Sequence, residues 1–363
     1  MNIRKLPKIS LHDHLDGGLR PQTIIELAEE IGMELPANNA AELNQWFLES
    51  ANSGSLVEYL KTFDITTGVM QTKHGLTRVA KEFVLDLAAD GVIYGEIRWA
   101  PEQHLARGLS LDEVVEAVQD GLEQGIDEVE AAGGYIRTGQ LVTAMRHNNR
   151  GLEIAELAVR HRDNGVVGFD IAGAEAGFPA SNHKEAFDYL AEHMFPTTVH
   201  AGEADGIDSI RDAIVAGRTL RLGHGVRIYQ DLLMREEDGR DYVQLGEVAE
   251  WVHFRQIALE LCPTSNLQTG AIADLGDSYE DHPVAILFDL GFRVTISPDN
   301  RLMSGTTLTH ELELLVDAFG YGIGDLEQFQ INAAMAAFQD LEAREELVEM
   351  IGEGFKRARG NRR

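Results

Sequence analysis

Eight short runs of apolar and β-branched residues recur along the chain, and amphipathic helical stretches separate them. Stretches such as 111–133 and 152–164 carry apolar residues at helical spacing. Strands that alternate with helices pair in parallel through right-handed crossovers. Eight of them predict an α/β fold, a (β/α)8 TIM barrel. The predicted strands are residues 8–14, 91–99, 136–145, 165–173, 197–202, 220–226, 256–263 and 292–299.

The chain is longer than such a barrel requires. It has 363 residues, whereas about 250 are typical of the fold. The surplus falls mainly between the first two strands, so we expect one barrel domain over 1–363 with a helical cap inserted at about 21–90. A doubly wound open sheet is the alternative fold. It would be expected to carry a glycine-rich GxGxxG phosphate loop after an early strand, and the sequence has none.

Charge and cysteine content exclude several classes of partner. Sixty acidic against 31 basic residues give a formal net charge of −29, which would repel nucleic acid and anionic membranes. No apolar run approaches the length of a membrane span, and no apolar stretch follows the basic start, so no secretory signal is predicted. The single cysteine, Cys262, excludes an intrachain disulfide and cysteine-rich zinc modules. We therefore expect a soluble cytoplasmic protein; homo-oligomers stay possible.

Polar residues follow the apolar run in most of the predicted strands. The endings are HDHLD, EIR, HAGE, GHG and SPDN. Active sites of such barrels form at the carboxyl ends of the strands. Chance would scatter these residues, so five such endings indicate a site.

Three histidines and one aspartate at these ends are candidate metal ligands. His12 and His14 stand two residues apart on a strand, so both imidazoles share a face. The alternative to metal binding is that the two histidines only form hydrogen bonds within the strand. His200 and Asp299 end two later strands. Three imidazoles and a carboxylate suit zinc and leave a position for water.

The lysines favour one metal ion over two. A binuclear site would need a bridging group, often a carbamylated lysine on a middle strand. None of the seven lysines lies in a predicted strand after the first, and Lys8 precedes the histidines at the wrong end. We expect one Zn2+ per chain.

Glu203 and His224 are candidates for proton transfer. Glu203 lies three residues after His200, where it could complement a helix dipole or, beside a metal-bound water, shuttle protons. His224 is flanked by glycines that let a ligand approach, though a capped loop histidine is the simpler reading. The remaining histidines are assigned to the surface or to packing, with His147 the least certain of them.

The motifs together resemble one known family. HDHLDG, YGEIRWAP, VGFDIAGAE, TVHAGE, RLGHGV, LCPTSN and SPDNRLMSG are similar, in that order, to the motif series of the adenosine deaminases, within the adenosine/AMP deaminase group of the amidohydrolase-type barrels. The match runs from residue 12 to about 305. Each motif alone is modest, but seven in order are highly specific.

The resemblance implies a role for each matching residue. Zinc would be bound by His12, His14, His200 and Asp299. Glu203 would protonate purine N1, and His224 would orient or deprotonate the zinc-bound water. The substrate contacts implied are Asp16 to the ribose 5′-hydroxyl with His14 beside it, the Gly173 backbone N–H to N3, and Asn300 to N7.

Two positions depart from the family pattern. Asn300 stands where many members have a second aspartate; an asparagine amide can still donate to N7, but selectivity among purines is then less constrained. Ala174 stands where an aspartate is usual, so a contact near the base is missing.

The expected reaction is zinc-dependent hydrolysis of adenosine, and of 2′-deoxyadenosine, to inosine and ammonia. A deaminase of a related 6-aminopurine, such as adenine or aminodeoxyfutalosine, is the closest alternative, although Asp16 suits a sugar hydroxyl. A zinc hydrolase of another amide or ester would leave Glu203 without a role. A catalytically inactive metal-binding or growth-factor-like relative is the alternative from a different class.

Overall fold

The computed structural model describes residues 2–52, 56–237 and 240–360. All eight predicted strands are present and form two parallel sheets of four strands each, in the orders β1-β2-β3-β4 and β5-β6-β9-β10. The barrel strands are β1 Lys8–His14, β2 Val92–Trp99, β3 Arg137–Met145, β4 Val166–Ala172, β5 Thr198–Ala201, β6 Arg221–His224, β9 Ala258–Leu261 and β10 Val294–Ile296.

Single β-bridges join the two sheets at both seams. Asp13 bridges to Asp299 between β1 and β10, and Phe169 bridges to Thr197 between β4 and β5. The Asp13–Asp299 seam is supported by the His14 N–H, which donates to the Asp299 carbonyl at 2.8 Å. The predicted eight-stranded barrel is therefore confirmed, with bridges rather than continuous ladders at the seams.

Helices connect successive strands and pack around the barrel. They are α1 Pro21–Ile31, α2 Ala40–Ala51, α3 Leu56–Leu60, α4 Phe63–Val69, α5 Lys73–Ala89, α6 Leu111–Ala131, α7 Gly151–Arg160, α8 Lys184–Glu192, α9 Ile207–Val215, α10 Glu247–Arg255, α11 Pro263–Gln268, α12 Val284–Asp289, α13 Arg301–Ser304, α14 Leu308–Phe319, α15 Ile323–Ala336 and α16 Leu341–Gly360. No helix in the described ranges combines the length and the apolar character of a membrane span.

Local sequence explains where α6, the longest helix of the described residues, begins and how closely it packs. Ser110 caps α6, accepting a hydrogen bond from the Glu113 N–H while the Glu113 carboxylate accepts one from the Ser110 N–H. Gly121 and Gly125 let α6 approach α5, because a Cβ at Gly121 would lie 2.3 Å from the Thr77 carbonyl oxygen. Larger residues there would separate the two helices.

Helices α1 to α5 fill the segment between β1 and β2, where extra helices were predicted. α1 has proline in its first turn and ends at Gly32 in the left-handed conformation, as helix boundaries favour. The short helices α3 and α4 bring Leu56, Tyr59 and Phe63 to the cavity at the carboxyl end of the barrel. This segment therefore supplies part of the cavity wall.

A β-hairpin between β6 and α10 was not predicted. β7 Leu232–Glu237 pairs antiparallel with β8 Arg240–Leu245, with Met234 opposite Val243. The sequence signal was an Asp-Gly pair, residues 238 and 239, between two runs of strand-forming residues. Residues 238 and 239 themselves lie outside the described residues.

A layer of paired charges lies inside the barrel, and we call it the arginine layer. It consists of Arg98, Arg221, Glu96, Asp170 and Glu260, all buried. The Arg98 guanidinium lies 3.1 Å from Asp170 and 2.6 Å from Glu260, while that of Arg221 lies 2.5 Å from Glu96 and 2.6 Å from Glu260. Charges this deeply buried are costly unless they are paired. Each side chain of the layer is therefore held in place by its ion-pair partners.

Candidate active site

The four candidate metal ligands converge at the carboxyl end of the barrel. His12 and His14 come from β1, His200 from β5, and Asp299 from the segment directly after β10. Their ligand atoms all lie within 4.8 Å of one another. Nε2 of His14 is 3.3 Å from Nε2 of His200 and 3.3 Å from Oδ1 of Asp299. The structure thus brings together every residue that the sequence offered as a ligand.

Buried carboxylates orient two of the imidazoles from behind. Nδ1 of His12 lies 3.0 Å from Oε2 of Glu260, and Nδ1 of His200 lies 2.8 Å from Oδ2 of Asp170. Although burial opposes it, Arg98 and Arg221 hold the pKa of Glu260 well below its usual range. An ionised carboxylate at Nδ1 keeps the proton there and leaves Nε2 free to bind a metal.

The donor set fits one divalent metal ion. Nε2 of His12 is buried and lies 3.3 Å from Oδ1 of Asp299, so with the His12 proton on Nδ1 two acceptor atoms face each other with no donor between them. Ser265 donates to Oδ2 of Asp299 at 2.6 Å, so the Oδ1 atom faces the histidines. A cation bound by three imidazole nitrogens and a carboxylate oxygen would satisfy these atoms, and this donor set is typical of zinc. The described side chains therefore form a donor set that fits the metal ion predicted from the sequence.

Two buried residues of the site have an unusual backbone. Asp299 and His224 have φ values of 62° and 61°, in the left-handed region that side-chain-bearing residues rarely occupy. Such conformations persist only where the surrounding structure imposes them, and they cluster at functional sites. Here they turn the chain at the ends of two barrel strands.

Glu203 and His224 face each other beside the ligand group. Oε2 of Glu203 lies 3.5 Å from Nε2 of His224. Burial, together with the charges of Asp299 and Glu175, raises the pKa of Glu203 well above its usual range. A carboxyl group whose pKa is raised keeps its proton to a higher pH than usual and can donate it to a substrate.

Sequence reasoning missed Glu175, which holds the turn that carries Glu203. Its Oε1 accepts hydrogen bonds from the Gly202 N–H and the Ser209 hydroxyl, both at 2.6 Å. Its Oε2 accepts from the backbone N–H groups of residues 203, 204 and 205 at 3.0, 2.6 and 3.0 Å. Glu175 lay within the AGAE motif, but only the fold shows what it contacts.

A cavity of about 390 Å³ opens above the candidate metal ligands. Its walls include apolar side chains, which suits a flat aromatic ligand. The predicted substrate contacts Asp16, Gly173 and Asn300 all line it, as does Ala174. The main apolar lining residues are Leu56, Tyr59, Leu60, Phe63, Trp99 and Met145.

Asp16 is a polar group aimed at this cavity. Its Oδ1 is buried and has no hydrogen-bond partner within the described part of the chain. Burial raises the pKa of Asp16 to about 7. Nδ1 of His14 lies 3.8 Å away. A ligand hydroxyl would supply the missing partner.

Two histidines assigned to the surface or to packing lie in or near the site. His147 lines the cavity. His282 is buried, with Nε2 3.2 Å from Oδ1 of Asn266. His147 lies in the turn after β3 and His282 in the loop before α12, and a loop position in the sequence gave no sign of this placement.

The carboxylate of Asp13, between the two ligand histidines in sequence, has a structural partner. Arg301 lies 3.0 Å from it, and the Arg301 guanidinium stacks 4.1 Å above the Phe83 ring. Asp13 therefore anchors α13 against β1.

Comparison with known proteins agrees with this geometry. The sequence model of a family described as Adenosine deaminase matches residues 7–353. Adenosine deaminase 1 of Streptomyces coelicolor is 52% identical over 355 residues, 97% of this chain and 88% of that protein. An adenosine deaminase of Mycolicibacterium gilvum is 52% identical over 351 residues, 96% of this chain and 95% of that protein. A solved structure described as adenine deaminase from Arthrobacter aurescens has a TM-score of 0.83 at 24% identity and covers 97% of this chain and 99% of its own, which supports the fold alone.

Proposed function

The chain belongs to the adenosine deaminase family, and we propose that it catalyses the hydrolytic deamination of adenosine and 2′-deoxyadenosine to inosine and 2′-deoxyinosine. The observation that carries this proposal is the convergence of four candidate metal ligands beside a buried Glu203, at the floor of a purine-sized cavity.

One zinc ion would be held by His12, His14, His200 and Asp299. The three imidazoles and one carboxylate support zinc over magnesium or calcium, which prefer oxygen ligands. Bound zinc lowers the pKa of water, so that a nucleophile is available near neutral pH.

The side chains around that position divide the remaining work. Glu203 gives its proton to purine N1, which removes the aromaticity of the ring at C6 and makes that carbon electrophilic. The oxygen of water adds at C6, and His224 stabilises that oxygen. One proton of the water passes through a carboxylate of the site to N6, so that the C6–N6 bond breaks and ammonia leaves. The remaining hydroxyl proton returns to Glu203 as the C6=O bond of inosine forms.

Contacts to the sugar and base would set the orientation of the nucleoside. Asp16 would accept a hydrogen bond from the 5′-hydroxyl, and its carboxylate would repel a 5′-phosphate. The backbone N–H of Gly173 would donate to N3, and the Asn300 amide would donate to N7. These contacts support a nucleoside over free adenine, which has no sugar to occupy the Asp16 side.

Composition supports a cytoplasmic place for this reaction. The lone cysteine is typical of a reducing compartment, and the net charge of −29 argues against nucleic acid as a partner. The partner that the site supports is a small purine nucleoside.

A panel of 6-aminopurines tests the proposal. Zinc-loaded protein would be mixed in turn with adenosine, 2′-deoxyadenosine, adenine, AMP and aminodeoxyfutalosine, and the absorbance change and released ammonia would be followed. We expect adenosine and 2′-deoxyadenosine to have the highest kcat/KM, with adenine and AMP at least about 100-fold lower. Preference for adenine or aminodeoxyfutalosine would favour the alternative deaminase, and zinc binding without turnover would favour a binding protein.

A further inference from the structure

A line of buried polar groups runs away from His224 on the side opposite to Glu203. Nδ1 of His224 lies 3.0 Å from Nδ2 of Asn266. Oδ1 of Asn266 lies 3.2 Å from Nε2 of His282. Nδ1 of His282 accepts a hydrogen bond from the Val284 backbone N–H at 3.1 Å. All three side chains are buried. The mechanism above uses only the first of them.

The Val284 backbone N–H determines which atoms donate and which accept along this series of hydrogen bonds. A backbone N–H can only donate, so Nδ1 of His282 must accept and carries no proton. Burial lowers the pKa of His282 to about 3, so its ring is neutral. The one proton of that ring is therefore on Nε2, which donates to Oδ1 of Asn266.

A second backbone donor independently indicates the same orientation of the Asn266 side-chain amide. The Cys262 N–H donates to Oδ1 of Asn266 at 3.3 Å. Two donors thus meet the same amide oxygen, which places the NH2 group of Asn266 against Nδ1 of His224. The amide can only donate from that end, so Nδ1 of His224 must be the acceptor.

We propose that Asn266 and His282 are positioning residues that hold neutral His224 in the tautomer with its proton on Nε2, the nitrogen 3.5 Å from the Glu203 carboxyl. This inference rests on the proposed function for its catalytic meaning. It decides between the two roles that the family resemblance leaves open for His224. The ring presents a donor to the oxygen that adds at C6 and has no lone pair there with which to take a proton from water. Proton removal then falls to a carboxylate of the site.

The tautomer can be measured directly in the zinc-loaded protein. Histidine labelled with 15N reports which ring nitrogens carry protons, and the His224 signals are identified by their loss in His224→Gln. We expect a single proton on Nε2 and a bare Nδ1. A proton on Nδ1, alone or together with one on Nε2, would overturn the proposal.

Asn266→Asp reverses the polarity of the contact with little change of shape. A carboxylate can still accept from His282 and from the Cys262 N–H, but it cannot donate to His224, whose Nδ1 must then carry the proton. Losing a hydrogen-bond donor to a developing oxyanion costs about 10²-fold to 10³-fold in kcat. We expect kcat to fall by about 100-fold, with zinc content unchanged and KM within about threefold. The matched control is Asn182→Asp, which adds the same charge at an exposed position.

His282 provides a second test in case the aspartate variant fails to fold. His282→Gln retains a donor for Oδ1 of Asn266, whereas His282→Leu removes it. We expect the glutamine variant to retain the Nε2 proton signal of His224 and a kcat about tenfold or more above that of the leucine variant. Equal kcat values with the proton on Nε2 in both would overturn the positioning role.

Failure of this inference differs from failure of the proposed function. If the wild-type protein deaminates adenosine while His224 carries its proton on Nδ1, only the inference fails. If the protein does not deaminate adenosine, the NMR measurement still reports the tautomer.

Discussion

Two buried polar clusters lie in successive layers of the barrel, and they differ in how far their charged groups are paired. In the arginine layer, each guanidinium lies within 3.1 Å of two carboxylates. In the site above it, three imidazoles converge on the single carboxylate of Asp299, and Oδ1 of Asp16 has no hydrogen-bond partner among the described residues. The ion pairs complete the first cluster, whereas the second presents ligand atoms that a bound metal and substrate would satisfy.

Two carboxylates belong to both clusters. Glu260 contacts both arginines and also His12, and Asp170 contacts Arg98 and also His200. The paired layer thus supplies the fixed negative charges that orient the rings of these two candidate metal ligands. Stability and catalysis should therefore respond to different substitutions, with Glu260 and Asp170 affecting both.

Glu203→Gln should have the largest effect on activity and almost none on stability. The amide keeps the shape of the carboxyl group but cannot give a proton to N1, so kcat should fall by about 10³- to 10⁴-fold. Zinc content and Tm should match the wild type. In the wild type, kcat/KM should fall as pH rises through the raised pKa of Glu203, because the donor is then lost. Glu192→Gln, at an exposed position, is the control. Near-normal turnover in Glu203→Gln would show that Glu203 is not the proton donor.

Arg221→Met should show the opposite pattern. It leaves Glu96 and Glu260 without their shared partner inside the barrel, and breaking such a buried pair costs about 3–5 kcal/mol of unfolding free energy. Urea unfolding measures this loss, and the kcat of the folded fraction should change far less than in Glu203→Gln. Arg218→Met is the control, since that arginine pairs with Asp188 at the surface, where about 1 kcal/mol or less is expected. Equal losses in the two variants would mean that the layer is not a stabilising unit.

Glu260→Gln should weaken zinc binding, by a smaller factor than Glu203→Gln lowers kcat. The neutral amide no longer holds a proton on Nδ1 of His12 by charge, and the loss of such a partner lowers metal affinity about 10- to 100-fold. Competition for zinc with a chelator of known affinity measures the change. Unchanged zinc affinity would show that the two clusters are independent.

Asp16→Asn should have the smallest effect, confined to substrate binding. At about pH 8, above the raised pKa of Asp16, the loss of a charged acceptor for the 5′-hydroxyl should raise KM for adenosine by about tenfold while kcat stays within about threefold. 5′-Deoxyadenosine, which lacks that hydroxyl, serves as the matched substrate, and both proteins should bind it equally. A similar increase in KM for both substrates would place the ribose elsewhere.

Much of the fold, and the convergence of the candidate ligands, could be predicted because the signals are local. The spacing of His12 and His14 shows a shared strand face, and the other ligands end apolar runs that the barrel brings to one edge. The partners behind them could not be predicted in this way. Glu260 lies within the apolar run ALEL, and its contact with His12 joins positions 248 residues apart.

The same limit applies to the groups that orient the two candidate proton-transfer residues. Glu175, Asn266 and His282 are ordinary polar residues by sequence, and only the folded chain shows that the first cradles the Glu203 turn and the others contact His224. The β7–β8 hairpin was missed for a different reason, because its Asp-Gly signal is local but lies outside the strand–helix alternation.

Zinc titration of the metal-free protein, with adenosine turnover followed at each step, tests the central claim most directly. We predict negligible turnover without metal, a linear rise on adding zinc, and a break at one zinc per chain, with inosine and ammonia formed in equal amounts. Turnover that survives complete removal of metal, or a break at two zinc ions per chain, would contradict a one-zinc adenosine deaminase.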